Sequence, residues 1–453
     1  MNMRIEKDSM GEIEVPSSAY WGAQTQRSLA NFPKDVETMP KELIYAIVNI
    51  KKAAAIVNNS EDKLSEEKKD LIVAASNKIL LGHFDDQFPL SIWQTGSGTQ
   101  TNMNVNEVIA HIANEKAGKN IIHPNDDVNM SQSSNDVFPT AMHIAAYMAI
   151  KNHLLPELDK TIETLKELEE KYDIIKTGRT HLQDATPITL TQEISAFRSA
   201  LERDSSNIDQ TSKKLRKLAI GGTAVGTGLN ASPNFGEHMA KVLSNELDES
   251  FSSDENKFFQ LSLKSGLVNS HGTIKALATN LYKIASDIRF LSCGPRSGIG
   301  ELNIPANEPG SSIMPGKVNP TQIESMTMIC IQVMANDMAI SMANTQGQLQ
   351  LNAYMPLIIY NFNQSVTLLA KGLACFRENL LIGLSPNEAI IKENLENSLM
   401  LVTSLSPHIG YDKASEIAKF AFENDIKLRE ASIKLGYLTE EEFDKYVRAE
   451  NMV

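Results

Sequence analysis

The chain has 453 residues, of which 42% are hydrophobic and 22% charged, so its composition is that of a globular protein with more than one domain. The formal net charge of −13 argues against a nucleic acid or an anionic membrane as its partner. The three cysteines lie far apart, no apolar run approaches the roughly 20 residues of a membrane span, and the N-terminal residues lack an export signal, so we expect a cytoplasmic protein without disulfides.

Residues 1–135 are predicted to form an N-terminal domain that is mixed but mostly helical. Ile5, Ile13 and Val15 flank the turn-like segment SMGE, a pattern that indicates a short hairpin. Two helices are predicted next, over residues 42–58 and 65–81. Acidic residues in the first turn of the second helix complement its dipole.

A polar segment follows at residues 93–106, with the sequence WQTGSGTQTNMNVN. It fits neither the helical nor the strand period, so we expect a loop. Its uncharged amide and hydroxyl groups would suit hydrogen bonding to a ligand. A solvated loop without function has the same composition.

From Pro139 onward the apolar residues take helical spacing, which predicts a central domain over residues 136–355 built as a bundle of long helices. Three apolar seams recur along the chain, at Leu155, Leu158, Ile162, Leu165 and Tyr172; at Ile194, Phe197, Leu201, Ile208, Leu215 and Leu218; and at Ile274, Leu277, Leu281, Ile284, Ile288 and Leu291. Two further helices, over residues 324–342 and 357–373, are apolar on more than one face. One small bundle cannot easily bury several faces of a helix, so we expect a homo-oligomer.

The last part of the chain, residues 356–453, is predicted to be a small helical C-terminal domain. Short polar helices are expected there over residues 432–435 and 439–449.

A segment rich in glycine, serine and proline, GSSIMPGKVNPTQIE, occupies residues 310–324 and cannot be helical at its start. It carries two hydroxyl groups and the cation of Lys317. Asn319, Pro320 and Gln322 have the pattern of a helix start, with a cap, a proline at the first position and a capping-box partner. A mobile loop on a rigid helix suits a lid that closes over an anion, although many ordinary loops share this composition.

Other chemistries lack their sequence signals. The nine histidines form no HxH or HExxH pair, and no Cys-x-x-Cys is present, so we expect no metal ion and no iron–sulfur cluster. The glycine-rich stretch at residues 221–228 does not fit the dinucleotide fingerprint, and no G-x-S-x-G elbow occurs. The segment at 310–324 is not a phosphate loop, because its glycines are spaced wrongly for one.

Four polar clusters separated by long helices remain as candidate binding groups. They are Ser97–Gly98–Thr99, Ser133–Ser134–Asn135, Thr180–His181, and the segment at 310–324 with Glu324. Each is also typical of a helix cap or a turn, because serine, threonine and asparagine are the usual residues at helix starts. Helix N-termini offer free N–H groups to carboxylates, so a cap can also be a binding site.

The eleven residues GSSIMPGKVNP at 310–320 resemble the signature of the fumarase/aspartase superfamily, whose members eliminate a group β to a carboxylate and release fumarate. The resemblance runs from SMGEIEVP near the start to HIGYDKA near the end, and the class II fumarate hydratases match best. It implies a mainly α fold of three domains, in which the central five-helix bundles of four copies form a twenty-helix core. It further implies a cofactor-free lyase of the citric acid cycle, acting on fumarate and L-malate in sites shared by three subunits.

The resemblance also implies roles for the matching residues. Ser311 corresponds to the family's proposed carbon base, and a serine needs its anion stabilised, here by Lys317 and by backbone N–H groups of the lid. His181 would bind the catalytic water, and Glu324 would orient the imidazole of His181. The positions that match substrate-binding residues of the family are Ser97, Thr99, Ser133, Ser134, Asn135, Thr180, Ser312, Lys317 and Asn319.

Two motifs distinguish water from ammonia as the small molecule added. At these two motifs the aspartases have sequences similar to TQLQDA and PAKVNP, whereas this chain has THLQDA from Thr180 and PGKVNP from Pro315. An imidazole can exchange protons with water near neutral pH, and a glutamine cannot. The motifs favour fumarate hydration, with aspartate ammonia-lyase and a non-catalytic scaffold of the same fold as alternatives.

The segment HPNDD at residues 123–127 resembles a second dicarboxylate site of the family, and His123, Asn125 and Asp126 match residues of that site. The family's usual arginine, three residues before the histidine, is Asn120 here. The loss of this cation should weaken anion binding, so a purely structural loop is the alternative interpretation.

Overall fold

The structure is a computed structural model, and it describes residues 2–453. These residues form 17 α-helices and eight short strands. The helices are α1 Ala23–Asn31, α2 Lys41–Ser60, α3 Glu66–Leu80, α4 Thr99–Ala117, α5 Ser134–Ala149, α6 Leu155–Lys171, α7 Leu190–Ser212, α8 Phe235–Leu247, α9 Lys257–Ser262, α10 Ser265–Leu291, α11 Thr321–Asn344, α12 Met355–Phe376, α13 Glu388–Asn397, α14 Ser406–Ile409, α15 Tyr411–Glu423, α16 Leu428–Lys434 and α17 Glu440–Tyr446.

The strands form four two-stranded sheets, of which three are antiparallel and the sheet of β5 and β6 is parallel. They are β1 Met3–Asp8, β2 Gly11–Pro16, β3 Ile175–Thr180, β4 Gln183–Thr189, β5 Lys217–Leu218, β6 Ser252–Ser253, β7 Leu302–Asn303 and β8 Ser385–Pro386.

The predicted elements of the first 80 residues are confirmed. β1 and β2 pair from Met3 with Pro16 to Asp8 with Gly11, which places the turn within the SMGE segment. α2 and α3 match the two predicted helices to within two residues. Ser65 caps α3, and its hydroxyl accepts a hydrogen bond from the Lys68 N–H at 3.4 Å.

The predicted loop at residues 93–106 is wrong in its second half, because α4 begins at Thr99. The polar side chains on the first turns of α4 are buried rather than solvated, and their partners lie elsewhere in the chain. The Thr101 hydroxyl donates to the Gln94 side chain at 2.8 Å, and the Asn102 amide donates to Asn129 at 3.1 Å. Helical periodicity of apolar residues therefore does not identify a helix whose buried face is polar.

All five predicted long helices are present. The first runs without interruption from α5 through a π-helical segment, Ile150–Leu154, into α6, and the others are α7, α10, α11 and α12. The seam on α10 is the most regular. Its members Ile274, Leu277, Leu281 and Ile288 are at most 1% exposed, as the spacing of three and four residues predicts.

By length and composition alone, α11 could cross a membrane, with a mean hydropathy of 1.3 over 18 residues. This corrects the expectation that no stretch approaches a membrane span. The helix nevertheless carries Asp337, which bonds to Nδ1 of the fully buried His271 at 2.9 Å and to Lys275 at 2.6 Å. On the other side of the imidazole, Nε2 lies 2.8 Å from the hydroxyl of Ser365, which is also fully buried. These contacts are those of a packed core helix.

The described residues fall into two compact units. Unit 1 comprises the residues up to 156 together with 206–278 and 331–370, and unit 2 comprises 157–205, 279–330 and 371–453. The division into domains 1–135, 136–355 and 356–453 stays a prediction. The end of the chain has a core of its own, which includes Leu405, Ile417, Ala431 and Phe443.

Candidate active site

In unit 1, a chain of hydroxyl groups joins the start of α4 to the start of α5. Ser97 Oγ lies 2.9 Å from Thr99 Oγ1, which lies 2.8 Å from Ser134 Oγ. Gly98 precedes α4 with a φ of +70°, and a Cβ there would lie 2.1 Å from the ring of the fully buried Phe138. Only glycine permits this close approach, so Gly98 sets the position of the Thr99 hydroxyl.

The start of α5 is held by a capping box and by the carboxylate of Asp136. Ser133 Oγ accepts from the Asn135 N–H at 3.2 Å, while Asp136 Oδ1 accepts from the Ser133 N–H at 2.9 Å. The other oxygen, Oδ2, accepts from the N–H groups of Gly221 and Thr223 at 3.0 and 2.9 Å. Burial raises the pKa of Asp136, and these backbone hydrogen bonds act in the opposite direction.

The amide of Asn135 donates to the carbonyl oxygen of Ala224 at 2.8 Å. The glycine-rich stretch at 221–228 is thus tied to the start of α5 at three points, two through Asp136 and one through Asn135. The candidate residues Ser133, Ser134 and Asn135 are half-buried, and the hydrogen bonds of Asp136 hold the backbone on which they lie.

Lys51 on α2 supports the same region from the protein interior. Its side chain is fully buried, and its Nζ donates to Asn129 at 2.8 Å and to Gln132 at 3.0 Å, directly before Ser133. Burial lowers the pKa of Lys51 to about 7, and the charge of Asp136 acts in the opposite direction. No sequence pattern predicts this role for Lys51, since a lysine within an amphipathic helix is normally solvated.

In unit 2, Thr180 and His181 lie at the tip of a β-hairpin, which the sequence pattern did not predict. β3 and β4 pair from Ile175 with Thr189 to Thr180 with Gln183, which leaves His181 and Leu182 as a two-residue turn. Both have positive φ, +55° and +60°, as a type I′ turn requires. Such turns favour Asn-Gly, and the left-handed conformation costs other residues roughly 1–2 kcal/mol each.

The turn therefore holds an exposed imidazole in a conformation that its own residues disfavour. Strain of this kind persists only where the surrounding structure imposes it, and it concentrates at functional sites.

The hydroxyl of Ser311 accepts hydrogen bonds from the N–H groups of Ile313 at 3.3 Å and Met314 at 3.2 Å. Two backbone donors thus point at the oxygen for which the sequence analysis required stabilisation of an anion. Lys317 and Ser312 are exposed, and Lys317 forms no ion pair with any residue in 2–453.

The predicted helix start is corrected by one residue. α11 begins at Thr321 rather than at Pro320, and the Pro320 carbonyl accepts the first helical hydrogen bonds, from Ile323 at 3.0 Å and Glu324 at 3.1 Å. Asn319 does not cap the helix, because its amide donates to the carbonyl oxygen of Gly310 at 2.7 Å and closes the lid segment instead.

Glu324 lies in the first turn of α11, where its carboxylate is 3.7 Å from Arg289 Nη2. Within the described part of unit 2, no hydrogen bond or ion pair joins His181 to Glu324, or Ser311 to Lys317. The groups of unit 2 that are expected to act together are therefore presented separately on its surface.

The residues of the second predicted site, His123, Asn125 and Asp126, lie in unit 1 at a π-helical turn, Pro124–Val128. His123 Nδ1 accepts from the Asp126 N–H at 3.1 Å and lies 3.2 Å from its carboxylate. His123, Asn125 and the unusual Asn120 line a cavity of about 1040 Å³. Nδ1 of the imidazole thus caps this turn, and the second dicarboxylate site stays a prediction.

The comparisons with known proteins agree over the whole chain. The sequence profile of a family described as Lyase matches residues 11–335, and that of the Fumarase C C-terminus matches residues 401–453. The chain is 56% identical to "Fumarate hydratase class II" of Listeria monocytogenes, over 98% of both chains. It is also 56% identical to the protein of the same name from Halalkalibacterium halodurans, over 100% of this chain and 99% of that protein. The chain belongs to the class II fumarate hydratase family.

A crystal structure of the recombinant class II fumarase from Schistosoma mansoni superposes with a TM-score of 0.97 at 42% identity, over 100% of this chain and 99% of that one. The resemblance found in the sequence and the mainly α fold are thereby confirmed. Among residues 2–453, no group of three histidine, cysteine or carboxylate side chains is placed to hold a metal ion.

The motifs of the candidate site were visible in the sequence, whereas the residues that support them were not. Asp136 and Lys51 behind the α5 start, and Glu301 behind the His181 hairpin, are buried charged groups whose partners lie far away in the sequence. The only sequence feature that could have identified such a support is a charged residue adjacent to a motif. Of these three residues, only Asp136 has that feature, because it directly follows Asn135.

Proposed function

We propose that this chain catalyses the reversible addition of water to fumarate, giving L-malate, as a hydro-lyase of the citric acid cycle. The observation that carries the proposal is the family membership over the full chain, with Ser311, Lys317, His181 and Glu324 all present in their motifs. A scaffold that had lost catalysis would have no need of all four groups.

The first chemical step in malate dehydration is removal of a proton from the carbon next to a carboxylate. In the proposal, the Ser311 hydroxyl has first released its own proton to solvent. Its alkoxide then takes the proton from the substrate carbon and becomes a hydroxyl again, and the electron pair of the C–H bond moves onto the carboxylate, which becomes a dianion. The N–H groups of Ile313 and Met314 stabilise the serine oxygen, and the exposed ammonium of Lys317 is free to approach the substrate when the lid closes.

The second step is departure of the hydroxyl group. In the proposal, His181 supplies a proton to the leaving hydroxyl through a bound water, so that water leaves and the carbon–carbon double bond of fumarate forms. The strained hairpin tip supports this role, because it projects the imidazole away from the body of unit 2. Glu324 would orient that imidazole in the complete site.

The two substrate carboxylates require donors rather than bases. The starts of α4 and α5 bring the hydroxyls of Thr99 and Ser134 together, with Asn135 beside them, and hydroxyl and amide donors at helix N-termini suit an anion. Ser97, Ser133, Thr180, Ser312 and Asn319 complete the proposed binding set.

A homotetramer with sites shared by three subunits accounts for two features of the single chain. The unit 2 groups Ser311, Lys317 and His181 have no catalytic partner within the described residues of their own unit. In addition, α11 exposes a row of large apolar side chains, Met328, Ile331, Met338 and Met342, each more than half exposed. Copies of the chain would cover this row in the proposed twenty-helix core. We further propose that the enzyme is cytoplasmic and works without a cofactor.

The test is to offer L-malate and L-aspartate separately to the purified protein, with a chelator present, and to follow fumarate formation by absorbance. We expect turnover of malate alone. Turnover of aspartate without malate would identify an ammonia-lyase instead, and no turnover of either would favour the scaffold.

A further inference from the structure

The His181 turn needs an external constraint, because neither His181 nor Leu182 favours the left-handed conformation that both adopt. The turn itself is exposed, so the constraint must come from the strands below it. The β3–β4 register shifts between Thr177, which pairs with Pro187, and Arg179, which pairs with Asp184, so β4 holds one more residue than β3 at this point. Arg179, two positions before His181, is the first paired residue of β3 after this bulge and the last charged residue before the turn.

Arg179 meets a buried carboxylate. Its Nη2 donates to Glu301 Oε1 at 2.7 Å, and Glu301 is only 1% exposed. Lys176, earlier on the same strand and also buried, places its Nζ 3.2 Å from Glu301 Oε2 and 2.9 Å from Glu193. Two cations and two anions therefore balance beneath the hairpin.

Glu301 is itself fixed on the other side. Asn394 on α13 donates to its Oε1 at 3.1 Å, and the N–H of Asn387 donates to its carbonyl oxygen at 2.8 Å. The next two residues, Leu302 and Asn303, pair with Ser385 and Pro386 in the β7–β8 sheet. The carboxylate thus belongs to a rigid part of unit 2 and can act as a fixed point for the hairpin.

We propose that Glu301 is a positioning residue for His181, and that it acts through its ion pair with Arg179 at the base of the strained turn. This inference rests on the proposed function, because it assumes that the imidazole acts on the water added or removed. Glu301 touches no reacting group. Its effect is to fix the position of strand β3, which carries the imidazole. The effect matters because a shift of about 1 Å in a catalytic group can cost 100-fold in rate.

The test is a double-mutant cycle on malate dehydration with Glu301→Gln, His181→Asn and the double variant, at enzyme concentrations high enough to follow the slowest of them. Glu301→Gln should lower kcat by about 30-fold in the native background and by less than about threefold when His181 is already replaced. Equal losses in both backgrounds would overturn the proposal, because a general structural defect does not depend on His181.

Two further variants keep the test decisive. Glu169→Gln removes the carboxylate of another partly buried ion pair of unit 2, in which Glu169 lies 2.6 Å from Arg198. This variant should leave kcat unchanged within about twofold. If Glu301→Gln does not fold, Arg179→Lys keeps the charge but loses the guanidinium geometry, and the same cycle is run with it.

The pH dependence of kcat/KM supplies a second readout. Comparison of the native enzyme with His181→Asn identifies the limb of the pH profile that depends on His181. In Glu301→Gln this limb should shift along the pH axis. A lowered rate with the limb at its native pH would overturn the proposal. Failure of the inference differs from failure of the proposed function. An enzyme that turns over malate but gives an additive cycle refutes only the role of Glu301, whereas absence of malate turnover in the native chain refutes the function itself.

Discussion

Replacing Gly98 by alanine should damage both stability and substrate binding, and the structure separates the two causes. Alanine at a φ of +70° costs roughly 1–2 kcal/mol from backbone conformation alone. The new Cβ would also lie 2.1 Å from Cδ2 and 2.2 Å from Cε2 of Phe138, which has no exposed surface into which it could move. Overpacking of this kind costs a further 1–3 kcal/mol, roughly.

Gly118 provides a matched control at the other end of the same helix. Its φ is +64°, close to that of Gly98, but a Cβ there would meet no atom within 4 Å. Gly118→Ala should therefore lose only the conformational part, roughly 1–2 kcal/mol. The difference between the two variants isolates the clash with Phe138.

The assay is urea-induced unfolding of both variants at one protein concentration, because the proposed subunit association would make stability depend on concentration. Malate kinetics complete it. Displacement of Thr99 should break its contacts to Ser97 and Ser134 and raise KM about tenfold, the equivalent of one hydrogen bond to a charged ligand. Equal unfolding free energies for the two variants would refute the packing argument, and an unchanged KM in Gly98→Ala would remove the hydroxyl chain from substrate binding.

Ser311→Ala should lower kcat for malate by at least about 100-fold with an unchanged elution volume on size exclusion, since a base is lost without any buried contact; a near-native rate would remove the serine from its role. His181→Asn should act likewise in a direct rate assay, and a loss confined to KM would reassign the imidazole to binding. Leu182→Gly should raise the free energy of unfolding by about 1 kcal/mol, measured in urea, because an exposed leucine leaves a left-handed conformation; a loss of stability would show that its side chain packs in the assembly. Burial lowers the pKa of Lys51 to about 7, so between pH 7 and 8.5 the unfolded chain holds a proton that the folded chain releases, and stability rises with pH. Lys51→Met should remove up to about 1.4 kcal/mol per pH unit from that rise, and parallel pH curves in urea would contradict it.

The long helices were predictable because their signal is local. A buried helix face repeats apolar residues every three or four positions, and on α10 each predicted residue, from Ile274 to Leu291, is buried. The start of α4 was missed for the converse reason. Asn102 and Thr101 are buried but polar, and their partners, Asn129 and Gln94, are specified by tertiary structure rather than by a repeating pattern.

The candidate site was predictable as motifs but not as geometry. A sequence signature places Ser311 and Lys317 in one lid, yet it does not show that Ser311 receives two backbone N–H groups while Lys317 stays exposed. The hairpin under His181 was missed because its turn lacks the Asn-Gly pair that normally marks such turns. The ion cluster around Glu301 was missed because its partners, residues 176, 179, 193 and 394, lie far from it in the sequence and at no regular spacing.

Some of the positions where local sequence rules fail lie at, or directly behind, the groups to which we assign chemistry. His181 and Leu182 oppose the turn that they form, and Lys51 places a charge where an apolar residue would be expected. Each departure is accompanied by polar partners, Arg179 with the buried Glu301 in the first case and the half-buried Asn129 and Gln132 in the second. A fold selected for stability alone would have Asn-Gly at the turn and a methionine on α2. The retention of strained or charged residues, each backed by a dedicated network, is therefore physical evidence that the exact placement of His181 and of the α5 start matters to what this chain does.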